Sequence, residues 1–214
     1  MIRIETIEVS GFAGAFLGMR NPYKNRDKSD SFFNAPNYDI GPKDLELAQK
    51  LLRSGEDSDS KFMRMIHAQA DINAPLYWWK EFDTYKVATT ANSESTMHTI
   101  HKKEFSLKDF SMDHLSNIGI DSIRFQIVRL NDARDKYLYA KTVGSPDQYE
   151  LWYQLIQMLP SSYMQKRTVD LSYQTIRHIY FTRRNHKLKE WSEGFCGWVE
   201  TLPYSKELIL HDGH

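Results

Sequence analysis

An aromatic helix followed by a polar turn is the first feature of this sequence that could bind a ligand. Residues 74–98 read APLYWWKEFDTYKVATTANSESTMH, with five aromatic residues from Tyr77 to Tyr85 and a polar run from Thr89 to Thr96. Aromatic planes beside a hydroxyl-rich loop suit a flat heterocycle with polar edges. The same residues also fit a core helix that ends in a polar turn, and both interpretations stay open.

A locally basic stretch is the second candidate. Residues 159–191 hold seven lysines and arginines, whereas Lys and Arg balance Asp and Glu at 28 each over the whole chain: Lys166, Arg167, Arg177, Arg183, Arg184, Lys187 and Lys189. Because an arginine fork binds phosphate through two hydrogen bonds, this stretch suits a phosphorylated small molecule. A solvated basic face near helix ends is the alternative.

Several other chemistries lack the residues that they need. With a net charge of zero, a protein that coats polymeric nucleic acid is not expected. Cys196 is the only cysteine, which excludes an intrachain disulfide and a cysteine-based zinc site. Its neighbours Phe195 and Trp198 favour a buried, inert thiol. His98 and His101 lie three residues apart, but no third ligand has a suitable spacing, so no metal is predicted.

The elements that must position these residues are a few strands and many helices. Residues 2–9 are β-branched and predict a strand. Helices are predicted from about residue 43, from Asn73, over 121–138 with Asp121 as the N-cap, from a capping box at Ser145–Gln148 to Pro160, and over 170–183 and 186–201. This irregular order predicts one α+β domain over residues 1–214, interrupted by a long polar loop at 21–37.

The sequence predicts a cytoplasmic protein. No apolar run approaches the roughly 18 residues that a membrane-spanning helix requires. The first residues, MIRIETIEVSGFAG, lack the basic-then-apolar order of a signal peptide.

The helix that opens at Ala74-Pro75 and the loop after it resemble a motif of the flavin-dependent thymidylate synthases, the ThyX family. In that family an Ala-Pro step opens a helix that leads into an Arg-His-Arg signature and then a loop that ends in Ser. Three residues of this chain stand at the signature, namely Thr84, Tyr85 and Lys86. Ser95 stands at the serine of the loop if one residue is inserted.

The basic stretch is similar to a second part of that family. It aligns without a gap from Leu159-Pro160 to Arg183, which stands at an arginine that binds the phosphate end of the substrate. His178 stands at a position that is often His or Asn. The family's flavin-contacting Asn-x-Arg pair falls on Ser172 and Gln174.

The resemblance implies a fold, an activity and a set of site residues. The fold would be a small central sheet flanked by many helices. The family's enzymes are homotetramers with active sites at subunit interfaces, and they methylate dUMP with methylenetetrahydrofolate and FAD that NADPH reduces. By position, the substrate-binding residues would be Lys86, Ser95, Thr96 and Arg183, with Lys86 and Ser95 catalytic. The FAD-binding residues would be Arg64 (at the histidine of a Ser-Pro-Phe-Glu-His element), Thr84, Tyr85, Ser172, Gln174 and His178.

The sequence departs from the family where positive charge matters. Lys86 keeps one charge without the planar fork, and Thr84 and Tyr85 keep only hydrogen-bonding capacity. Because FAD carries a pyrophosphate, fewer cations should weaken its binding. Two functions therefore stand open: a flavin-dependent methyltransferase that acts on dUMP or a related nucleotide, and a nucleotide-binding homologue that has lost flavin-dependent catalysis. A third, an interaction protein, rests only on residues 21–37.

Overall fold

A computed structural model describes residues 1–34 and 37–211 and confirms the predicted α+β class. Four strands form one sheet in the order β1-β4-β6-β5, and β2 pairs with β3 as a separate antiparallel ribbon. The strands are β1 (Arg3–Ser10), β2 (Phe32–Asn34), β3 (Asn37–Asp39), β4 (His67–Pro75), β5 (Thr89–Ser93) and β6 (Met164–Ser172). Every second residue of β4 is buried from Ala68 to Ala74, as expected when one face of a strand packs on a core.

Helices account for more of the described chain than strands. They are α1 (Phe12–Met19), α2 (Pro42–Arg53), α3 (Asp57–Ser60), α4 (Leu76–Phe82), α5 (Thr96–Thr99), α6 (Asn117–Val143), α7 (Gln148–Gln157), α8 (Tyr173–Arg183) and α9 (Cys196–Glu200). Two π-helical turns, Glu190–Phe195 and Ser205–Ile209, lie near the C-terminus, and Lys61–Met65 is a 3-10 turn. Over residues 1–34 and 37–211, no helix has the length and apolar character needed to cross a membrane.

Three predicted helix starts were wrong by a few residues. Strand β4 continues to Pro75, so α4 begins at Leu76, three residues after the predicted start at Asn73. The long helix α6 begins before Asp121, because the side chain of Ser116 accepts a hydrogen bond from the Gly119 amide at 3.3 Å and caps it. The predicted capping box before α7 does not form; instead the Asp147 amide donates to the Ser145 hydroxyl at 3.2 Å.

The last two predicted helices also differ from the structure. The predicted helix over 170–183 starts three residues later, at Tyr173, because β6 continues to Ser172. The predicted helix over 186–201 is a π-helical turn followed by the short helix α9.

The described chain divides into two compact units. The α6 unit comprises Met1 and residues 73–83 and 92–167, and the α8 unit comprises residues 2–72, 84–91 and 168–214. Strands β4, β5 and β6 pass from one unit to the other along the chain. The single domain over 1–214 stays a prediction.

The core of the α6 unit shows whether the aromatic residues of helix α4 are buried or open to a ligand. Trp78, Trp79 and Phe82 of α4 are almost completely buried, and their rings pack on one another with centroids 4.9–5.2 Å apart. The Trp79 indole donates to the Gln165 carbonyl at 3.0 Å. For these three residues the core interpretation is confirmed, so their rings are not available to a ligand.

Within the α8 unit, the polar segment that begins at residue 21 is tied to α2. The buried carboxylate of Asp44 accepts hydrogen bonds from Arg20 Nε at 2.5 Å, Ser29 Oγ at 2.6 Å and Ser31 Oγ at 2.5 Å. The predicted loop over 21–37 therefore contains fixed turns and strand β2. Its residues 35 and 36 lie outside the described part of the chain.

Candidate functional site

A cleft of about 760 Å³ lies within the α8 unit. Its lining comes from three separated stretches, namely residues 52–64, the turn 84–88, and residues 174–181 of α8. Six of the ten residues predicted from the sequence line it: Arg64, Thr84, Tyr85, Lys86, Gln174 and His178. We call it the Arg64 cleft.

Both the side chain and the backbone of Arg64 are held in place at the cleft. Its Nε donates to the side-chain oxygen of Gln174 from α8. The ring of His67 lies between the Arg64 carbonyl, 3.0 Å from Nε2, and the Asp170 carboxylate, 3.0 Å from Nδ1. The backbone and the guanidinium of Arg64 are therefore both fixed before any ligand binds.

The turn at the mouth of the cleft is fastened to the N-terminus of α8. The Val87 carbonyl accepts a hydrogen bond from Thr175 Oγ1 at 3.0 Å, and the Ala88 carbonyl accepts one from the Ser172 amide at 3.3 Å. Buried Ser172 caps α8 by accepting from the Thr175 amide at 3.2 Å, and it does not line the cleft. Lys86 is left exposed on this turn, among the lining residues.

Arg183 lies beside Tyr85 and is not among the residues that line the cleft. Its Nε donates to the Tyr85 hydroxyl at 2.7 Å, and its guanidinium lies 4.8 Å from the centre of the Trp191 ring. The Tyr85 ring in turn meets His178 edge to face, with centroids 6.0 Å apart. In this arrangement Arg183 orients a tyrosine of the cleft, and its predicted contact with phosphate stays a prediction.

Positive charge predominates among the charged lining residues. Arg64, Lys86 and Arg177 line the cleft together with one carboxylate among the described residues, that of Asp57. Arg177 donates to the Ile209 carbonyl at 2.6 Å, so part of its guanidinium is used inside the protein. The basic stretch marked Arg177 only as one of seven cations, because sequence alone does not show which of them share a cavity.

The apolar lining was missed altogether. It includes Leu52, Met63 and Phe181, which come from three different elements. Of these, only Leu52 belonged to a periodic apolar pattern in the sequence, and a core face and a ligand-facing patch have the same apolar residues.

The remaining predicted site residues, Ser95 and Thr96, belong to the α6 unit and do not line the Arg64 cleft. The Ser95 hydroxyl caps α5 by accepting from the His98 amide at 3.2 Å. The Thr96 hydroxyl accepts from Gln165 Nε2 at 3.1 Å. Their predicted roles in substrate binding remain predictions.

The described residues offer neither a metal site nor a reactive thiol. Across residues 1–34 and 37–211, no three His, Cys, Asp or Glu side chains are grouped so that they could hold a metal ion. Cys196 is buried as predicted, and burial together with nearby Glu200 raises the pKa of its thiol to about 11. It is therefore a weak nucleophile at neutral pH.

Solved structures with the same fold include thymidylate synthases and a related methylase. Thymidylate synthase X (ThyX) from Helicobacter pylori, solved with FAD and dUMP, matches 100% of this chain and 99% of its own with a TM-score of 0.67 and 14% identity. A second structure of the flavin-dependent enzyme from Helicobacter pylori, complexed with FAD and dUMP, matches 97% of both chains with a TM-score of 0.66 and 15% identity.

The third neighbour is the UMP/dUMP methylase PolB from Streptomyces cacaoi, bound with 5-Br dUMP. It matches 100% of this chain and 96% of its own with a TM-score of 0.62 and 13% identity. No protein-family model and no curated protein matches this sequence. The resemblance drawn from residues 51–98 and 159–191 is thus confirmed as a shared fold over nearly the whole chain.

Proposed function

We propose that this protein is a flavin-dependent enzyme that methylates dUMP or a related nucleotide with methylenetetrahydrofolate, using FAD that NADPH reduces. The observation that carries the proposal is the meeting in one cleft of six residues that the sequence assigned to flavin or substrate. They come from three stretches of the chain, so their convergence does not follow from their spacing. The neighbours solved with FAD and dUMP support the same assignment.

The residues of the Arg64 cleft fit a flavin nucleotide in the chemistry of their side chains. Arg64 and Lys86 would face the pyrophosphate, where a guanidinium and an ammonium bind negative oxygens. Tyr85 and Phe181 offer flat surfaces for a ring. Asp57 would repel phosphate and therefore suits a hydroxyl group of the ligand. Bound FAD would supply the reducing equivalents for the methyl transfer.

The chain's own residues would bind and orient rather than attack. Arg64 is already directed by Gln174, so little rotamer entropy is lost when it binds an anion. Tyr85 is fixed by Arg183 and keeps its ring in the lining. Cys196, the only thiol, is buried, in agreement with a reaction that needs no protein nucleophile.

The visible absorption spectrum of the purified protein, with and without added FAD, is the first test. We expect flavin bands that co-purify with the protein or appear on titration. NADPH oxidation and formation of the methylated nucleotide should then both depend on dUMP. Protein that stays colourless and ignores added FAD would contradict the proposal.

A lysine variant connects the spectrum to the cleft. Lys86→Gln should weaken FAD binding at least tenfold, because one hydrogen bond to a charged group is lost, typically about 1.5–3 kcal/mol. Lys80→Gln is the matched control, since Lys80 is an exposed lysine of α4 that does not line the cleft. Equal FAD affinity in both variants would remove Lys86 from the site.

The second candidate is a nucleotide-binding homologue without flavin chemistry. It is favoured by one observation: Thr84, Tyr85 and Lys86 stand at the Arg-His-Arg signature and line the cleft, but only Lys86 brings a positive charge. A melting temperature that rises with dUMP, in protein that binds no FAD, would select this candidate.

We also propose that the protein assembles as a homotetramer, as the resemblance implies. The support is an apolar surface on α6, where Ile118, Phe125 and Val128 are 80%, 62% and 64% exposed. Apolar side chains that recur on an exposed helix surface are typical of an interface. Light scattering should give the mass of four chains, and Phe125→Glu should lower it. A monomer of unchanged mass in both proteins would contradict the assembly.

A further inference from the structure

A second cleft, of about 740 Å³, lies within the α6 unit and has no role in the function proposed above. Its lining comes from residues 97–102 at α5, from the C-terminal half of α6, and from residues 145–152 at the start of α7. We call it the Lys141 cleft. None of the site residues predicted from the sequence lines it.

Flat rings form part of this cleft, and the protein holds them in place. The Trp152 indole donates to the Met97 carbonyl at 3.0 Å, which connects α7 to α5. The Tyr149 ring lies 5.8 Å from the Trp152 ring between centroids. Tyr137 of α6 meets His101 edge to face at 5.0 Å. Fixed aromatic surfaces of this kind bind a flat ring at little cost in side-chain entropy.

All the charged and titratable side chains that line the cleft, apart from tyrosine, are bases. They are His98, His101, Lys102 and Lys141, and no carboxylate is among the described lining residues. Neither lysine takes part in an ion pair within residues 1–34 and 37–211. In a chain whose charges sum to zero, this local excess of positive charge favours an anion.

The excess of positive charge in the cleft also acts on His101. Its Nδ1 is buried and has no hydrogen-bond partner within the described residues. Burial lowers the pKa of His101, and the positive charges of Lys141, Lys102 and Arg134 lower it further. Arg134 also donates to the His101 carbonyl at 3.0 Å. An anion in the cleft would offset these charges.

We propose that the Lys141 cleft binds a small ligand in which a flat heteroaromatic ring carries a phosphate group. The ring would lie against Trp152 and Tyr149, and the phosphate would meet Lys102 and Lys141. Lysine is a common phosphate ligand, as a mobile point charge rather than a fork. Because the lining belongs to one unit and shares no residue with the Arg64 cleft, the proposal does not depend on flavin or dUMP binding.

Calorimetric titration with three probes separates the contribution of the ring to binding from that of the phosphate charge. The probes are AMP, adenosine and inorganic phosphate, each titrated into protein that is saturated with FAD or, if FAD does not bind, into the protein alone. We expect AMP to bind at least tenfold more tightly than either adenosine or phosphate, since only AMP engages both the rings and the lysines. Equal affinities for AMP and phosphate, or no AMP binding at millimolar concentration, would overturn the proposal.

Charge variants place the binding in the cleft. Lys141→Gln and Lys102→Gln should each weaken AMP binding about tenfold and leave adenosine binding unchanged. Lys136→Gln is the matched control on the same helix, because Lys136 forms an exposed pair with Asp132 and does not line the cleft. Lys86→Gln tests the Arg64 cleft instead. If Lys86→Gln weakens AMP binding and Lys141→Gln does not, the proposal is wrong even though the Arg64 cleft binds nucleotide.

The histidine provides a readout that simple loss of structure would not produce. When AMP is added, the pKa of His101 measured by NMR should rise, because an adjacent anion favours the imidazolium. By linkage, AMP should then bind more tightly as the pH falls through that pKa. A His101 titration that AMP leaves unchanged would show that the phosphate does not enter the cleft.

Discussion

The two clefts have similar volumes but present positive charge in opposite ways. In the Arg64 cleft the arginines are bound to the protein, Arg64 to Gln174 and Arg177 to the Ile209 carbonyl. In the Lys141 cleft the cations are lysines without a carboxylate partner in the described part of the chain. The first arrangement favours geometry, because bound side chains have already lost their rotamer freedom. The second arrangement attracts an anion through charge, without fixing the position of the charged groups.

This difference separates stability from binding. Removing a bound arginine leaves protein acceptors without their donor, whereas removing an unpaired lysine leaves nothing unsatisfied. Variants of the two arginines in the Arg64 cleft should therefore affect both folding and ligand affinity. Variants of the two lysines in the Lys141 cleft should affect affinity only.

The largest contrast is expected in the free energy of unfolding. Arg177→Ala should lower it by about 1.5–3 kcal/mol, since the Ile209 carbonyl loses a charged donor. Lys141→Ala should change it by less than about 0.5 kcal/mol, as is usual for an exposed side chain. Denaturant titration measures both variants. Equal losses in the two variants would remove the distinction between the clefts.

The next largest effect concerns the orientation of Arg64. Gln174→Ala should weaken FAD binding about fivefold, because one ordinary hydrogen bond, worth roughly 1 kcal/mol, no longer directs the guanidinium. A flavin titration followed by absorbance measures this. Gln69→Ala on β4 is the control, since Gln69 is exposed and does not line the cleft. An unchanged FAD affinity would mean that Gln174 does not position Arg64.

Salt should distinguish the clefts by a smaller factor. Between 0.1 M and 1 M salt the screening length falls from about 10 Å to about 3 Å. We expect AMP affinity for the Lys141 cleft to fall several-fold and FAD affinity for the Arg64 cleft to fall less, because half-buried Arg177 lines the Arg64 cleft and partly buried charges are screened less than the exposed Lys102 and Lys141. Equal salt dependence in parallel titrations would contradict this.

The smallest expected effect is a change in the pKa of one residue, His101. Lys141→Gln should raise the pKa of His101 toward its usual range, because one of the positive charges that lower it is removed. Burial, the larger cause, remains and limits the rise. NMR of the histidine ring measures it, with Lys136→Gln as the control. A pKa that does not change would show that Lys141 does not act on His101.

The sequence predicted the fold class and six of the residues that line the Arg64 cleft. Periodic apolar residues located α2. The aromatic helix ends at Phe82, before Tyr85, and the expected polar turn over residues 89–96 contains strand β5. These features are local, so neighbouring residues suffice to define them. The family resemblance then brought Arg64 and Gln174 to the same ligand, and the structure brings them into contact.

Two outcomes were beyond sequence reasoning. Arg183 stood at the position of a phosphate ligand, but it meets the hydroxyl of Tyr85, which is 98 positions away in the chain. The Lys141 cleft joins His101, Tyr137 and Trp152, whose spacing matches no motif. An arginine presents the same donors to a phosphate and to a tyrosine, so its local sequence cannot distinguish them.

By itself, the sequence determined the class of fold and the inert thiol, and its family resemblance indicated six of the residues that line the Arg64 cleft. The burial of the aromatic residues of α4 stayed open until the structure showed it. Only the tertiary structure decided which cations are fixed by protein partners and which have no carboxylate partner among the described residues. The physical reason is the range of the interactions. Helix periodicity and capping act within a few residues, whereas hydrogen bonds such as that between Arg64 and Gln174 join groups 110 positions apart.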